Sequence, residues 1–156
     1  MRRNKYIITS LILLSGSLLF FACNQNGMRT RTNFGKEWKF ILDDIPEAAN
    51  PGFPDSAWRV LNLPHDWSIE GEFSKDHPAT VGGGALPGGI GWYRKTFFVD
   101  EDKKNKLLFL DFDGVYMNSK VWINGHLLGE RPNGYISFRY ELTPYLNYGS
   151  KPNVVA

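Results

Sequence analysis

The sequence is poor in the residues on which most catalytic and metal-binding signatures depend. It has one cysteine, Cys23, and three histidines, His65, His77 and His126, and their spacing matches no zinc pattern. There is no Gly-x-Ser-x-Gly elbow to mark a nucleophilic serine. Charged residues make up 22% of the chain and the formal net charge is only +2. No clustered excess of lysine and arginine supports binding to nucleic acid. Internal repeats and disorder-prone stretches are missing as well, and no cofactor is implied. What the chain does have is aromatics, at 15%, and 16 glycines, which suit a β-rich fold with tight turns. Its 156 residues leave room for one domain.

Residues 1–22 are of a different character. Arg2, Arg3 and Lys5 form a positive start, Tyr6 to Phe21 is almost wholly apolar, and Ala22-Cys23 follows. This pattern predicts a cleavable secretory signal rather than a membrane span. Phe20-Phe21-Ala22-Cys23 resembles a loose bacterial lipobox, which implies that Cys23 is a lipid anchor. Phenylalanine stands at two positions where a lipobox usually has leucine and a small residue, and an ordinary signal peptide containing a cysteine is the alternative. The expectation is an exported protein, a periplasmic or outer-membrane lipoprotein held to the membrane through Cys23. Loss of Arg2, Arg3 and Lys5 takes the net charge from +2 to −1, so the sequence pI of 8.6 misrepresents the mature chain. Residues 23–33 read as a polar tether.

From Phe34 onward the periodicity is that of strands. Trp38 to Leu42 alternates and predicts the first strand. Val60 to Pro64 predicts a strand closed by proline, and Trp92 to Val99 another. Leu107 to Phe112 is a nearly continuous apolar run, predicting a strand buried on both faces or deep in a sandwich. Lys120 to Ile123 runs into Asn124-Gly125, the strongest short-range hairpin signal, with His126 to Gly129 returning. Tyr135 to Tyr140 alternates again, and Asn153 to Ala156 begins a strand. Glu72 to Gly91 is the longest irregular stretch. Its Gly82-Gly83-Gly84 does not suit a phosphate cradle, because a strand rather than a helix follows.

An ordered set of these pieces resembles the N-terminal sugar-binding domain of glycoside hydrolase family 2, the family of β-galactosidases, β-glucuronidases and β-mannosidases. The set comprises Gly35-Lys36-Glu37-Trp38-Lys39-Phe40, Leu63-Pro64-His65-Asp66-Trp67, Gly91-Trp92-Tyr93-Arg94-Lys95, Phe112-Asp113-Gly114-Val115, Val121-Trp122-Ile123-Asn124-Gly125, Gly134-Tyr135 and Leu142-Thr143-Pro144-Tyr145-Leu146. The resemblance implies an all-β fold, a jelly-roll or galactose-binding-like β-sandwich over residues 34–156, with the last strand truncated. It implies further that the parent hydrolase continues into an immunoglobulin-like domain and a (β/α)₈ barrel carrying the catalytic glutamates. The expected partners are a carbohydrate, a β-galactoside or related glycan, and those remaining domains. A free carbohydrate-binding lipoprotein and a purely structural sandwich are the alternatives.

The candidate substrate-binding residues are His65, Asp66 and Trp67. A carboxylate at a strand end can accept paired sugar hydroxyls, and an indole can stack on a sugar face. The competing structural reading is that Asp66 caps a turn and Trp67 packs on the core. Asp111 and Asp113, on one face of a strand and roughly 6–7 Å apart, lie within the spacing glycosidases use. Their surroundings favour a structural role, so no catalytic residue is expected in this chain.

Overall fold

Alternation along Trp38–Leu42 puts Trp38 and Phe40 on one face and Lys39 and Ile41 on the other, and this segment is strand β1 in the computed structural model. The structure describes residues 29–77 and 80–156, so the leader and Cys23 lie outside the described residues. Strands β2 (Arg59–Leu61), β3 (Gly91–Phe97), β4 (Phe109–Phe112), β5 (Ser119–Ile123), β6 (His126–Arg131), β7 (Phe138–Glu141) and β8 (Asn153–Val155) follow. Six of them form one sheet in the order β2-β1-β3-β8-β5-β6, and β4 pairs with β7 in a second. Every pairing is antiparallel. Among the described residues helical structure is limited to 3₁₀ turns.

The two sheets share a core, which makes the arrangement sandwich-like. Trp38, Val121, Ile123 and Val155 from the large sheet meet Leu110, Phe138 and Tyr140 from the small one, with Leu142 beside them. The other face of the large sheet is covered too. There Ala48, Trp58 and Trp92 pack with Ile41, Phe53, Trp122 and Ala156, and the Trp92 and Trp122 rings stack 5.3 Å apart.

The hairpin forms where expected. Asn124 and Gly125 have φ of 50° and 83°, the positive values a type I′ turn requires. The run from Leu107 is different: Leu107 is 71% exposed, β4 starts only at Phe109, and Leu110 alone in it is fully buried. A two-stranded sheet has a single covered face, so this apolar strand alternates instead of being buried on both sides. Tyr135 and Ile136 also fall outside a strand, since the Tyr135 N–H turns to Asn133 Oδ1 (2.8 Å) and pairing with β4 starts at Phe138. β2 ends at Leu61, ahead of a cis Leu63–Pro64 peptide, and the Leu63 N–H donates to Gly35 O (2.6 Å). The segment from Asn153 is not at a sheet edge: β8 lies between β3 and β5.

Candidate functional site

Strand register brings the site together. Phe40 pairs with Arg59 on one side and Tyr93 on the other, so three strands place these side chains in a row. The turn after β2 folds His65 onto that row. Its ring sits 4.9 Å from the Phe40 ring, the Tyr93 ring lies tilted 4.8 Å from Phe40, and the Arg59 guanidinium lies 5.5 Å from the Phe40 ring.

The His65 side chain, 10% exposed, points inward and is bonded at both nitrogens. Nδ1 is 2.8 Å from the Tyr93 hydroxyl, and Nε2 is 2.7 Å from Arg59 Nη2 and 3.2 Å from Glu70 Oε1. Because a guanidinium can only donate, Nε2 accepts from Arg59 in the Nδ1–H tautomer, and the Glu70 carboxylate, which can only accept, is then a close neighbour of Nε2 rather than its hydrogen-bond partner. Arg59 also donates to Glu70 Oε1 (2.8 Å), which holds the Glu70 carboxyl below the usual carboxylate range. Burial, with the nearby charges of Asp66 and Glu70 added, pushes the Tyr93 phenol up to about 12. Tyr93 therefore stays protonated and able to donate throughout the neutral range.

Asp66 and Trp67 diverge from their neighbour. Asp66 is exposed, and its Oδ1 accepts from the Ser68 N–H (3.0 Å) and the Ser68 hydroxyl (2.7 Å). This is an Asx turn, the capping geometry, and it leaves Oδ2 without a partner among the described residues. Trp67 lies half-buried over Gly91, where a Cβ would come within 2.9 Å of Trp67 Nε1. The glycine-rich segment folds back beside this turn. A Cβ on Gly71 would meet Pro87 at 2.4 Å, and one on Gly89 would lie 3.9 Å from the Trp67 ring.

The three neighbours thus present a buried histidine, an outward carboxylate and a half-buried indole. Asp111 is elsewhere, in an ion pair with its cross-strand neighbour Arg139, which agrees with a structural role. His77 bonds to Ala85 O (2.9 Å) and His126 stacks on Tyr145 (4.7 Å). Among the described residues no group of three His, Cys, Asp or Glu is placed to hold a metal ion.

The residue that sequence reasoning missed is Arg94. It is 1% exposed and lies on the opposite face of β3 from Tyr93. Its Nε donates to Asp55 Oδ2 (3.0 Å), and its remaining nitrogens donate to the carbonyls of Ala48, Asn50 and Pro51. It fastens the 43–58 segment to the sheet. Its position between aromatics in a strand, at the parity of buried Trp92, was the only available signal.

Comparison with known proteins places this geometry in context. The family model described as "Glycosyl hydrolases family 2, sugar binding domain" matches residues 32–156. The chain is 57% identical over 138 residues to the beta-galactosidase BoGH2A of Bacteroides ovatus, covering 86% of this chain and 16% of that protein. It is 46% identical over 142 residues to a putative beta-glucuronidase of Formosa agariphila, covering 91% of this chain and 13% of the relative. Among solved structures, a beta-glycosidase from Bacteroides vulgatus superposes with a TM-score of 0.75 at 53% identity, over 79% of this chain and 16% of that one. The chain therefore spans a small part of the length of these relatives.

Proposed function

The chain belongs to glycoside hydrolase family 2, as its sugar-binding domain, and on that premise we propose that it forms a non-catalytic wall of the active-site mouth in an exported, β-galactosidase-like hydrolase. In this reading the antiparallel sheets are a jelly roll of the galactose-binding kind. Asp66 accepts sugar hydroxyls, Trp67 offers its indole to a sugar face, and His65 holds the turn between them in place. The observation that carries it is Asp66 itself: an exposed carboxylate, fixed by Ser68 through one oxygen and with the other unpartnered among the described residues, beside a half-buried indole. Cleavage of a glycosidic bond needs an acid and a second carboxylate facing each other across it. Here Glu70 is tied to Arg59 and Asp111 to Arg139. Orientation is what this domain contributes, and the chemistry belongs to a catalytic barrel.

In a complete enzyme carrying this domain, Asp66→Ala is expected to reduce transition-state binding by about 1.5–3 kcal/mol, the range for hydrogen bonds to a charged group, seen as a roughly 10- to 150-fold fall in kcat/KM. Thermal stability should change little. Unchanged kinetics with a large stability loss would reduce Asp66 to a turn cap.

Membrane attachment through Cys23 belongs to the same proposal and is supported by the leader's sequence pattern. The mature protein should partition into detergent, held by the two or more chains that stable anchoring requires. Cys23→Ala should release it or leave the precursor uncut. Equal partitioning of both forms would rule the anchor out.

A further inference from the structure

Asp66 lies at the β2 end of the large sheet. At the β6 end, the β4–β5 and β6–β7 connections meet and present a pair of tyrosines. Tyr116 is 69% exposed and Tyr135 86%, yet their rings touch edge to face, with centroids 6.0 Å apart and an interplanar angle of 83°. Met117 and Ile136, next to them in sequence, are exposed as well. A lone apolar residue at the surface is ordinary. Two exposed aromatic rings held in contact make a candidate binding surface.

The corner is built rather than loose. Asn118 takes a φ of 60° and its N–H reaches Pro132 O (3.3 Å), joining the two loops. Asn133 Oδ1 accepts from the Tyr135 N–H (2.8 Å). Gly134 lies flush against the other loop, where a Cβ would come 2.8 Å from Met117 N and 3.0 Å from Tyr116 Cα. No larger residue fits there without moving the loops apart. Both ring-bearing segments are thus fixed before any ligand arrives, which lowers the ordering penalty of binding.

We propose that Tyr116 and Tyr135 form a second carbohydrate subsite, one that stacks on a pyranose ring of an extended glycan. The proposal rests on the sugar-binding reading of the domain but not on Asp66. From β2 to β6 is five strand spacings, so the two subsites are roughly 24 Å apart across the sheet. The occupant follows from the chemistry of the corner. Tyrosine joins an apolar ring to a hydroxyl, and a pyranose joins a C–H face to a rim of hydroxyls. Perpendicular rings make a corner that a single sugar ring can enter. A stable protein partner needs on the order of 800 Å² from each side, much more than two rings supply. The separation from Asp66 selects an oligosaccharide over a monosaccharide.

The test titrates the chain with β-1,4-galactotetraose, following tyrosine ring resonances and the dissociation constant. The tetraose should shift the Tyr116 and Tyr135 rings. Truncating each to alanine should weaken binding about two- to tenfold, the range for an aromatic contact converted to affinity. The double variant should melt as the parent does, because both rings are exposed. Asp66→Ala should leave the tyrosine shifts in place, so a failure of the Asp66 site and a failure of this one read out separately. The proposal is overturned if the tetraose leaves both rings unshifted, or if the double variant binds as tightly as the parent. It is also overturned if the rings instead mediate self-association that the double variant abolishes.

Discussion

Replacing Arg94 by methionine is expected to lower folding stability by about 3–5 kcal/mol, the usual effect of removing one member of a buried ion pair. Methionine approximates the length of the arginine stem, so cavity formation contributes little and the loss reports the guanidinium. Without it the Asp55 carboxylate retains only Lys39, the carbonyls of Ala48 and Pro51 lose their Arg94 donor, and Asn50 O keeps only the Phe53 N–H. The guanidinium also lies 5.8 Å from the Phe53 ring and 6.0 Å from the Trp58 ring, contacts that methionine keeps only as dispersion. Urea unfolding gives the magnitude. A second readout is acid sensitivity. Burial pushes the Asp55 carboxyl up, but Lys39 and Arg94 together outweigh it and the net shift is downward. A carboxyl with a lowered folded pKa stabilises above its unfolded value, near 3.9, and that contribution fades as pH falls through the folded value. With Arg94 gone the folded value rises toward the unfolded one, so the variant has less of this stability to lose and the gap between variant and parent should narrow as pH falls below about 4. Adding Asp55→Asn should recover part of the loss. A single-variant loss below about 1 kcal/mol would mean the 43–58 segment is held by its aromatics alone.

That such a residue escaped the sequence, while β1 and the β5–β6 hairpin did not, has a physical reason. Trp38 to Leu42 alternates because both faces of β1 are covered by different material, and Asn124-Gly125 dictates its own backbone angles. These signals are local. Arg94 depends on carbonyls more than 40 residues earlier, and an arginine in a strand is expected to face water unless its partners are known. The apolar run at Leu107 misled for the opposite reason, since hydrophobicity says that a residue can be buried but not that a covering layer exists. His65, Asp66 and Trp67 show the same limit at the candidate site. Their residue types suggested sugar contacts, but which of them turns inward was decided by Tyr93, 28 positions away from His65. β8 is the extreme case: three residues whose place between β3 and β5 is set entirely by distant partners.

The residue that secures β8 is Asn153, and Asn153→Asp is expected to destabilise the fold by about 2–4 kcal/mol at neutral pH while costing little near pH 4. Asn153 is 0% exposed and fully engaged. Its Oδ1 accepts from Asn124 Nδ2 (2.8 Å) and the Asn147 N–H (2.7 Å), and its Nδ2 donates to Asn147 O (2.9 Å). Asn124 completes the link by accepting the Val154 N–H (2.9 Å), so the hairpin turn and β8 are tied through side chains. Aspartate has nearly the same shape and keeps both acceptor bonds. Ionised, it sets a negative oxygen against Asn147 O and places a charge where water cannot reach, at more than the 1–3 kcal/mol of one unsatisfied neutral group. Protonated, it regains a donor for that carbonyl. Burial therefore raises the introduced carboxyl's pKa above its unfolded value near 3.9. Below that value the substitution is nearly silent. As pH rises from there to the folded pKa, the variant loses about 1.4 kcal/mol per unit relative to the parent, and beyond it the gap is constant. Taking the difference between the two proteins at each pH removes the contribution of Asp55, which both share. A gap independent of pH would show that shape rather than charge is at fault. A gap below about 1 kcal/mol at pH 7 would mean that the backbone ladder with β3 and β5 holds β8 without its asparagine.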